Sequence, residues 1–263
     1  MTLFANIVFW VFIACVVLYV LIKLINLSVY NKIVQPRIVD EHTTLSDVEV
    51  NDLAKKYLEY LKSDLELEYA SHDEYVPIYD HLDEKEKKII IPKWYMSSVA
   101  YELDYVFASI WFNSSVHKKN KFAKTWRTRA VSIPFYATVF FIISLVIVVP
   151  LKLINMIGGD TPFVVSQQLM FDIVLSIFSI IGTVCILSYV MCIIYVNTYK
   201  NIIEAEYENS LSKFITEHCK LYKEEIIAAR HYAISINKVD LRSFRMRKKK
   251  AGELKFLGPF VII

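Results

Sequence analysis

Three long apolar runs restrict what this chain can fold into more than any other feature. They cover Leu3 to Leu27, Val131 to Ile154 and Leu169 to Val196. As helices rising about 1.5 Å per residue, each can cross a bilayer core of about 30 Å. The first run has no basic residue before it and no clear cleavage site after it, which indicates a retained anchor. The sequence therefore predicts a mainly α membrane protein with three transmembrane helices.

Composition agrees with that class. Of 263 residues, 55% are hydrophobic, and 17 tyrosines and 16 phenylalanines accompany only 5 glycines. This balance favours a helical membrane protein over a β-rich soluble one. The four cysteines form no C-x-x-C pair, which indicates buried free thiols rather than a metal site or disulfides.

The basic residues predict a topology. Lys32, Arg37 and the Lys118–Arg129 cluster lie on the same side of the three spans as the basic tail. The tail contains Arg242, Arg245, Arg247, Lys248, Lys249 and Lys250. The positive-inside rule then places the N-terminus outside and the polar regions in the cytoplasm of a multi-pass cell-membrane protein. We expect the tail to bind anionic lipid, at about 1 kcal/mol per basic residue near the surface. The sequence contains no nucleic-acid-binding module, so no nucleic-acid partner is expected.

The spans divide the chain into four regions: an anchor at 1–29, a cytoplasmic α+β domain at 30–130, a transmembrane hairpin at 131–196, and cytoplasmic amphipathic helices with the basic tail at 197–263. In the α+β domain, Ser46 and Glu49 form a capping-box pattern before an amphipathic helix. Strict alternation predicts a strand at 65–69, and the run Lys88-Ile89-Ile90-Ile91 predicts another that ends at Pro92. A further strand is expected at 75–79. A nearly neutral loop is expected at 155–168.

The stretch from Ser97 to Phe112 carries the pattern of greatest chemical interest. Its apolar residues form two helical faces, which is typical of a buried helix. Within it, Tyr101 and Tyr105 stand four residues apart, with Glu102 after the first. This is the spacing of an H-E-x-x-H zinc-peptidase helix, in which two histidines bind the metal and the glutamate acts as general base. Here tyrosines occupy both histidine positions, and the pentapeptide alone favours an ordinary packed helix.

The order of segments strengthens the pattern. The anchor and capped helix are followed by Asp80-His81-Leu82-Asp83, a strand at 87–92, the tyrosine helix, a basic segment and two spans. After the third span comes Glu206-Tyr207-Glu208-Asn209-Ser210. This order resembles the YugP-type membrane-bound zinc metallopeptidases, whose last motif reads E-F-x-A-S. The resemblance implies that Glu206 stands at the third zinc-ligand position.

The departures from that family concern the metal site. A phenol with a pKa near 10 is a poor zinc ligand at neutral pH, so Tyr101 and Tyr105 imply a degenerate site. Asp104 stands where the family has glycine, and the charged 223–250 region replaces its last apolar helix. The histidines His81 and His231 are expected on the surface.

The resemblance implies a catalytically inactive, peptidase-like membrane protein that serves as a scaffold or subunit of a membrane complex, with lipid and protein partners. Tyr101, Glu102, Tyr105 and Glu206 would be remnants of a site, with no catalytic residue, metal or cofactor expected. One alternative is an active membrane metallopeptidase with an altered site, in which Glu102 is the base, Glu206 is a ligand and zinc is the cofactor. Another is an unrelated subunit of a membrane complex that acts as a docking platform.

Overall fold

The computed structural model describes residues 2–32, 47–70, 76–92, 99–158, 162–235 and 258–260. The chain is mostly helical in this part. Its helices are α1 (Leu3–Lys32), α2 (Asp47–Tyr60), α3 (Val99–His117), α4 (Lys121–Arg127), α5 (Ile133–Ile157), α6 (Pro162–His218) and α7 (Lys223–Ser235). Its strands are β1 (Glu66–Ala70), β2 (Leu82–Asp83) and β3 (Lys88–Pro92). The basic tail at 242–250 lies outside the described residues.

The three predicted apolar helices are confirmed as α1, α5 and α6, each long and apolar enough to cross a membrane. The boundaries of α6 differ from the prediction. It begins at Pro162, so much of the expected 155–168 loop is helical, and it continues to His218 without a break. The sequence has no proline or glycine between Gly182 and His218, so nothing interrupts the backbone hydrogen bonds where the chain turns polar.

The chain forms two compact units. Unit 1 comprises the described residues of 2–32 and 129–194. Its core lies where α1, α5 and α6 meet, and consists of Ala5, Phe9, Phe12, Phe141, Val148, Leu175 and Ile186. Gly182 permits the close approach of these helices, because a Cβ at this position would lie 2.3 Å from Phe12 Cε2 and 3.1 Å from Ser144 Cβ. The outward side chains of the three helices remain apolar and exposed.

Unit 2 comprises residues 33–128, 195–239 and 245–263. Helix α3 lies at its centre and contacts α2, α4, α7 and β3. Both predicted apolar faces of α3 are buried, as Leu103, Val106 and Ile110 on one and Tyr105 and Phe112 on the other show. Helix α2 packs against α3 through its predicted stripe: Tyr57 is fully buried and lies 5.1 Å from Phe107 and 4.8 Å from Phe214, measured between ring centroids.

A three-stranded sheet in the order β1-β3-β2 completes unit 2. Strands β1 and β3 are parallel, and β2 runs antiparallel to β3. The strands predicted at 65–69 and 88–91 are thus confirmed. The prediction of a strand at 75–79 is wrong for residues 76–79, which the structure describes. A 3-10 helix begins there at Ile78. Pro77, with φ of −58°, precedes that turn, and its carbonyl accepts a hydrogen bond from the Asp80 amide at 3.0 Å.

The segment Gly258–Phe260 also belongs to unit 2. Phe260 is fully buried among Trp111, Phe112 and Tyr207, and its carbonyl accepts a hydrogen bond from the Tyr79 hydroxyl at 3.2 Å. Gly258 has φ of +109°, and a Cβ there would lie 2.9 Å from Ala233 Cβ on α7. Glycine is therefore needed both for the backbone conformation and for the close contact.

Candidate functional site

Helix α3 carries the peptidase-like positions, and the structure gives them different environments. Glu102 is half-buried, and Tyr105 is buried. The helix backbone at Tyr101 is described, but its side chain lies outside the described set. On α6, Glu206 is exposed. Tyr105 therefore lies in the interior of unit 2, whereas Glu206 lies at its surface.

Tyr105 bonds with His81, the residue between the 3-10 helix and β2. The Tyr105 hydroxyl lies 2.9 Å from His81 Nε2 and donates to the Val76 carbonyl. His81 Nε2 is 3.0 Å from the same carbonyl, and Nδ1 is 2.6 Å from Ser109 Oγ. Asn113 joins the network by donating to the Ile78 carbonyl at 2.9 Å. Polar groups of α3 thus hold the segment that leads into β2.

The predicted surface position of His81 is wrong, since only 1% of this residue is exposed. Burial lowers the pKa of His81 to about 4, so the imidazole is neutral at pH 7. A neutral ring has one donor and one acceptor, which matches partners on both nitrogens. The charged neighbours Asp80 and Asp83 suggested a surface turn, whereas the buried Ile78 and Tyr79 just before it reflect its true surroundings. His231 is exposed, as predicted.

A second polar cluster joins α3, α6 and α7. Arg230 Nη1 lies 3.3 Å from Asp104 Oδ2, and Nη2 bonds with Glu204 Oε2. Tyr207 places its hydroxyl 3.0 Å from Asp104 Oδ1, and the Arg230 guanidinium lies 4.6 Å from the centre of the Tyr207 ring. Lys200 donates to the Ala233 carbonyl of α7 at 3.0 Å. We call Asp104, Glu204, Arg230, Tyr207 and Lys200 the buried charge cluster.

Burial of this cluster shifts the pKa values of its charged groups. Burial raises the pKa of Asp104 to about 6, although Arg230 favours its charged form. Burial disfavours the charge on Arg230, but Asp104 and Glu204 outweigh it and hold the pKa of Arg230 above its usual range. Glu204 Oε1 and Arg230 Nε are buried and have no hydrogen-bond partner among the described residues.

The buried charge cluster was not predicted, although the sequence holds a signal for it. Lys200, Glu204, Tyr207 and Leu211 recur at helical spacing with Ile203, which places two charges on the apolar stripe of α6. Arg230 stands in the same way on the α7 stripe, together with Ile226, Ala229 and Ala233. A charge on an apolar stripe indicates a buried partner, because an unpaired buried charge is strongly unfavourable.

Tyr105 and Glu206, the described side chains at zinc-ligand positions of the resemblance, do not form a zinc site in this arrangement. The Tyr105 hydroxyl is bonded to His81 and Val76, and Glu206 is exposed. Among the described residues, no three His, Cys, Asp or Glu side chains are grouped so that they could hold a metal ion. Asp104 and Glu204, the two carboxylates that do converge, are bridged by Arg230.

Comparison with known proteins adds no relative: no family model, no curated protein and no solved structure matches the chain.

Proposed function

We propose that this chain is an integral membrane protein whose unit 2 serves as a non-catalytic scaffold or subunit of a membrane complex, built on a peptidase-like plan. The observation that carries the proposal is the bonding of Tyr105, whose hydroxyl lies 2.9 Å from the buried His81 and donates to the Val76 carbonyl. The residue at a metal-ligand position of the resemblance thus ties α3 to the segment that leads into β2.

Neighbouring residues support the same conclusion. Asp104 stands at the position where the resembling family has glycine, and it bonds with Arg230 and Tyr207. The helix that would carry catalytic groups in an enzyme is thereby fixed to α6 and α7. Fixed, buried polar bonds suit a rigid platform, whereas a catalytic group must reach a substrate.

The membrane part of the proposal is supported by three helices long and apolar enough to span a bilayer, and by their apolar, exposed outward side chains. In the proposed topology the N-terminus is outside and unit 2 is cytoplasmic, as the basic residues favour. The basic tail would then lie against anionic lipid. Protein partners would bind unit 2, which is the part outside the bilayer.

The test uses the full chain purified in mild detergent, with Glu102→Gln as variant and Glu59→Gln, an exposed acidic residue on α2, as matched control. We expect no peptide cleavage above background with or without added zinc, and equal results for all three proteins. Chemical cross-linking in native membranes should yield one complex of fixed stoichiometry. Cleavage that is abolished by chelator and by Glu102→Gln, but not by Glu59→Gln, would support the active metallopeptidase instead. A lone monomer after cross-linking would contradict the scaffold role.

A further inference from the structure

Unit 1 contains a groove of about 320 Å³ between the start of α1 and the first half of α6. Its lining is apolar apart from a few polar groups near one end, and consists of Thr2, Phe4, Leu169, Asp172, Ile173, Ser176, Ile177 and Ile180. Asp172 is the acidic residue of this lining, and only 4% of it is exposed. Ionisable residues at such apolar positions are unfavourable unless they have a partner, and they commonly mark binding sites.

The bonds of Asp172 leave one oxygen unused. Oδ2 accepts a hydrogen bond from the Thr2 backbone amide at 2.5 Å, and the main-chain carbonyl accepts one from Ser176 Oγ at 2.7 Å. Oδ1 is buried and has no hydrogen-bond partner among the described residues. A buried carboxylate oxygen without a hydrogen-bond donor is destabilising. A ligand that brings a charged hydrogen-bond donor would remove that penalty.

The walls of the groove suit a hydrocarbon chain. Ile173, Ile177 and Ile180 follow one another at i, i+4 and i+7, so they form an apolar track along about two turns of α6. Each of them is about half exposed. The track begins one residue after Asp172, which places an acidic group beside the first isoleucine of the track.

Polar side chains at this end of unit 1 indicate the level of the lipid headgroups. Lys152 on α5 contacts the second turn of α1, with Nζ 3.4 Å from Asn6 Oδ1 and 4.9 Å from the centre of the Phe9 ring. Thr2, which bonds Asp172, precedes the first turn of the same helix. A cation of this kind reaches toward the membrane interface when its stem lies on apolar surface. In the proposed membrane location, Asp172 would therefore lie near the interface rather than at mid-membrane.

We propose that this groove binds a membrane lipid with a primary-amine headgroup, of the phosphatidylethanolamine class, with the ammonium donating to Asp172 and one acyl chain along the Ile173–Ile180 track. A primary ammonium has three donors, whereas a quaternary ammonium has none and an anionic glycerol headgroup meets the repulsion of the carboxylate. The inference rests on the membrane location in the proposed function, but not on the scaffold role or the fate of the peptidase-like site.

The test is native mass spectrometry of the delipidated full chain in detergent, titrated separately with phosphatidylethanolamine, phosphatidylcholine and phosphatidylglycerol of identical acyl chains. We expect the wild type to bind phosphatidylethanolamine about tenfold more tightly than the other two, since a charge-assisted hydrogen bond is lost with them. Asp172→Asn should abolish that preference, and Glu59→Gln should retain it. Ile177→Trp, which fills the track without changing charge, should weaken all three lipids.

Controls separate the possible failures. Carbonate extraction of native membranes tests membrane integration first, and release of the protein would contradict the membrane location itself. An integrated protein that binds the three lipids equally, with no effect of Asp172→Asn, would overturn the lipid site alone. Photocross-linking from position 177 provides a second readout that does not depend on a variant at position 172. A lipid adduct supports the site, and a protein adduct there would assign the groove to a partner helix and overturn the proposal.

Discussion

Arg230 and Asp104, 126 residues apart in the chain, form a buried ion pair with Nη1 and Oδ2 3.3 Å apart. The same guanidinium bonds with Glu204, so one cation of α7 meets an acidic residue from α3 and another from α6. Both Arg230 and Asp104 are nearly inaccessible to water. The pair therefore fixes α7 to the centre of unit 2.

Removal of the Arg230 cation should strongly destabilise unit 2. Arg230→Ala leaves two buried carboxylates without their partner, and we expect a loss of about 3–5 kcal/mol in the free energy of unfolding. Denaturant unfolding in detergent, followed by the fluorescence of the buried Trp111 and Trp126, measures this loss. The control is Arg127→Ala, which removes a half-exposed pair with Glu84 and should change stability by less than about 1 kcal/mol. Equal effects of the two variants would contradict the buried pair.

The raised pKa of Asp104 predicts a pH dependence of definite sign. The folded state binds the proton near pH 6 and the unfolded chain near 3.8, so the folded state is the better proton acceptor. The contribution to stability is complete below pH 3.8 and is lost as the pH rises through 6, by up to about 1.4 kcal/mol per pH unit in between. We expect Asp104→Asn to lack this component, which shows as a changed slope of unfolding free energy against pH from 4 to 7. An unchanged slope would refute it.

His81 should act in the opposite direction. Its pKa is about 4 in the folded protein and 6.5 in the unfolded chain, so the unfolded chain is the better proton acceptor. Its contribution is complete above pH 6.5 and is lost as the pH falls through 4. Relative to wild type, His81→Asn should therefore gain stability on acidification from pH 6.5, whereas Asp104→Asn should lose it. Slopes of the same sign in the two variants would contradict the burial of one of the groups.

The Tyr105 hydroxyl should contribute measurably to stability. Tyr105→Phe keeps the buried ring and removes the hydrogen bonds with His81 and the Val76 carbonyl, which should lower the free energy of unfolding by about 1–3 kcal/mol. Tyr60→Phe on α2 is the matched control, because Tyr60 is exposed and the same oxygen is deleted. The fluorescence of Trp111 and Trp126 during denaturant unfolding measures the stability of both variants. A null effect of Tyr105→Phe would weaken the structural role assigned to this residue.

The Phe260 side chain should hold the C-terminal segment in place. Phe260→Ala empties a fully buried aromatic position beside Trp111 and Tyr207, and we expect a loss of about 3–5 kcal/mol. Leu221→Ala, at a site 82% exposed, should have little effect. Limited proteolysis of the solubilised protein should show faster cleavage at Gly258–Phe260 in Phe260→Ala only. Equal cleavage rates would mean that the segment is not held by this residue.

The sequence alone determined the elements that depend on local order. Runs of apolar residues predicted α1, α5 and α6, and the periodicity of Ser97–Phe112 predicted a helix buried on two faces. Strict alternation predicted β1, and a short apolar run that ends at Pro92 predicted β3. These predictions succeeded because burial of apolar side chains at a regular spacing requires no knowledge of the particular partner. Element ends were predicted less accurately than the elements themselves. The third apolar run was predicted to begin at Leu169, whereas α6 begins at Pro162.

Tertiary structure decided the partners of the polar residues. The charged neighbours of His81 indicate a surface residue, but it is buried because Tyr105 and Ser109 approach from α3. The sequence motif predicted Glu206 as the site residue. The structure instead pairs Arg230 with Glu204, which lies two residues earlier on the opposite face of α6. A buried charge is tolerated only where a distant segment supplies its counter-charge. That pairing depends on how α3, α6 and α7 pack, so only the folded chain reveals it.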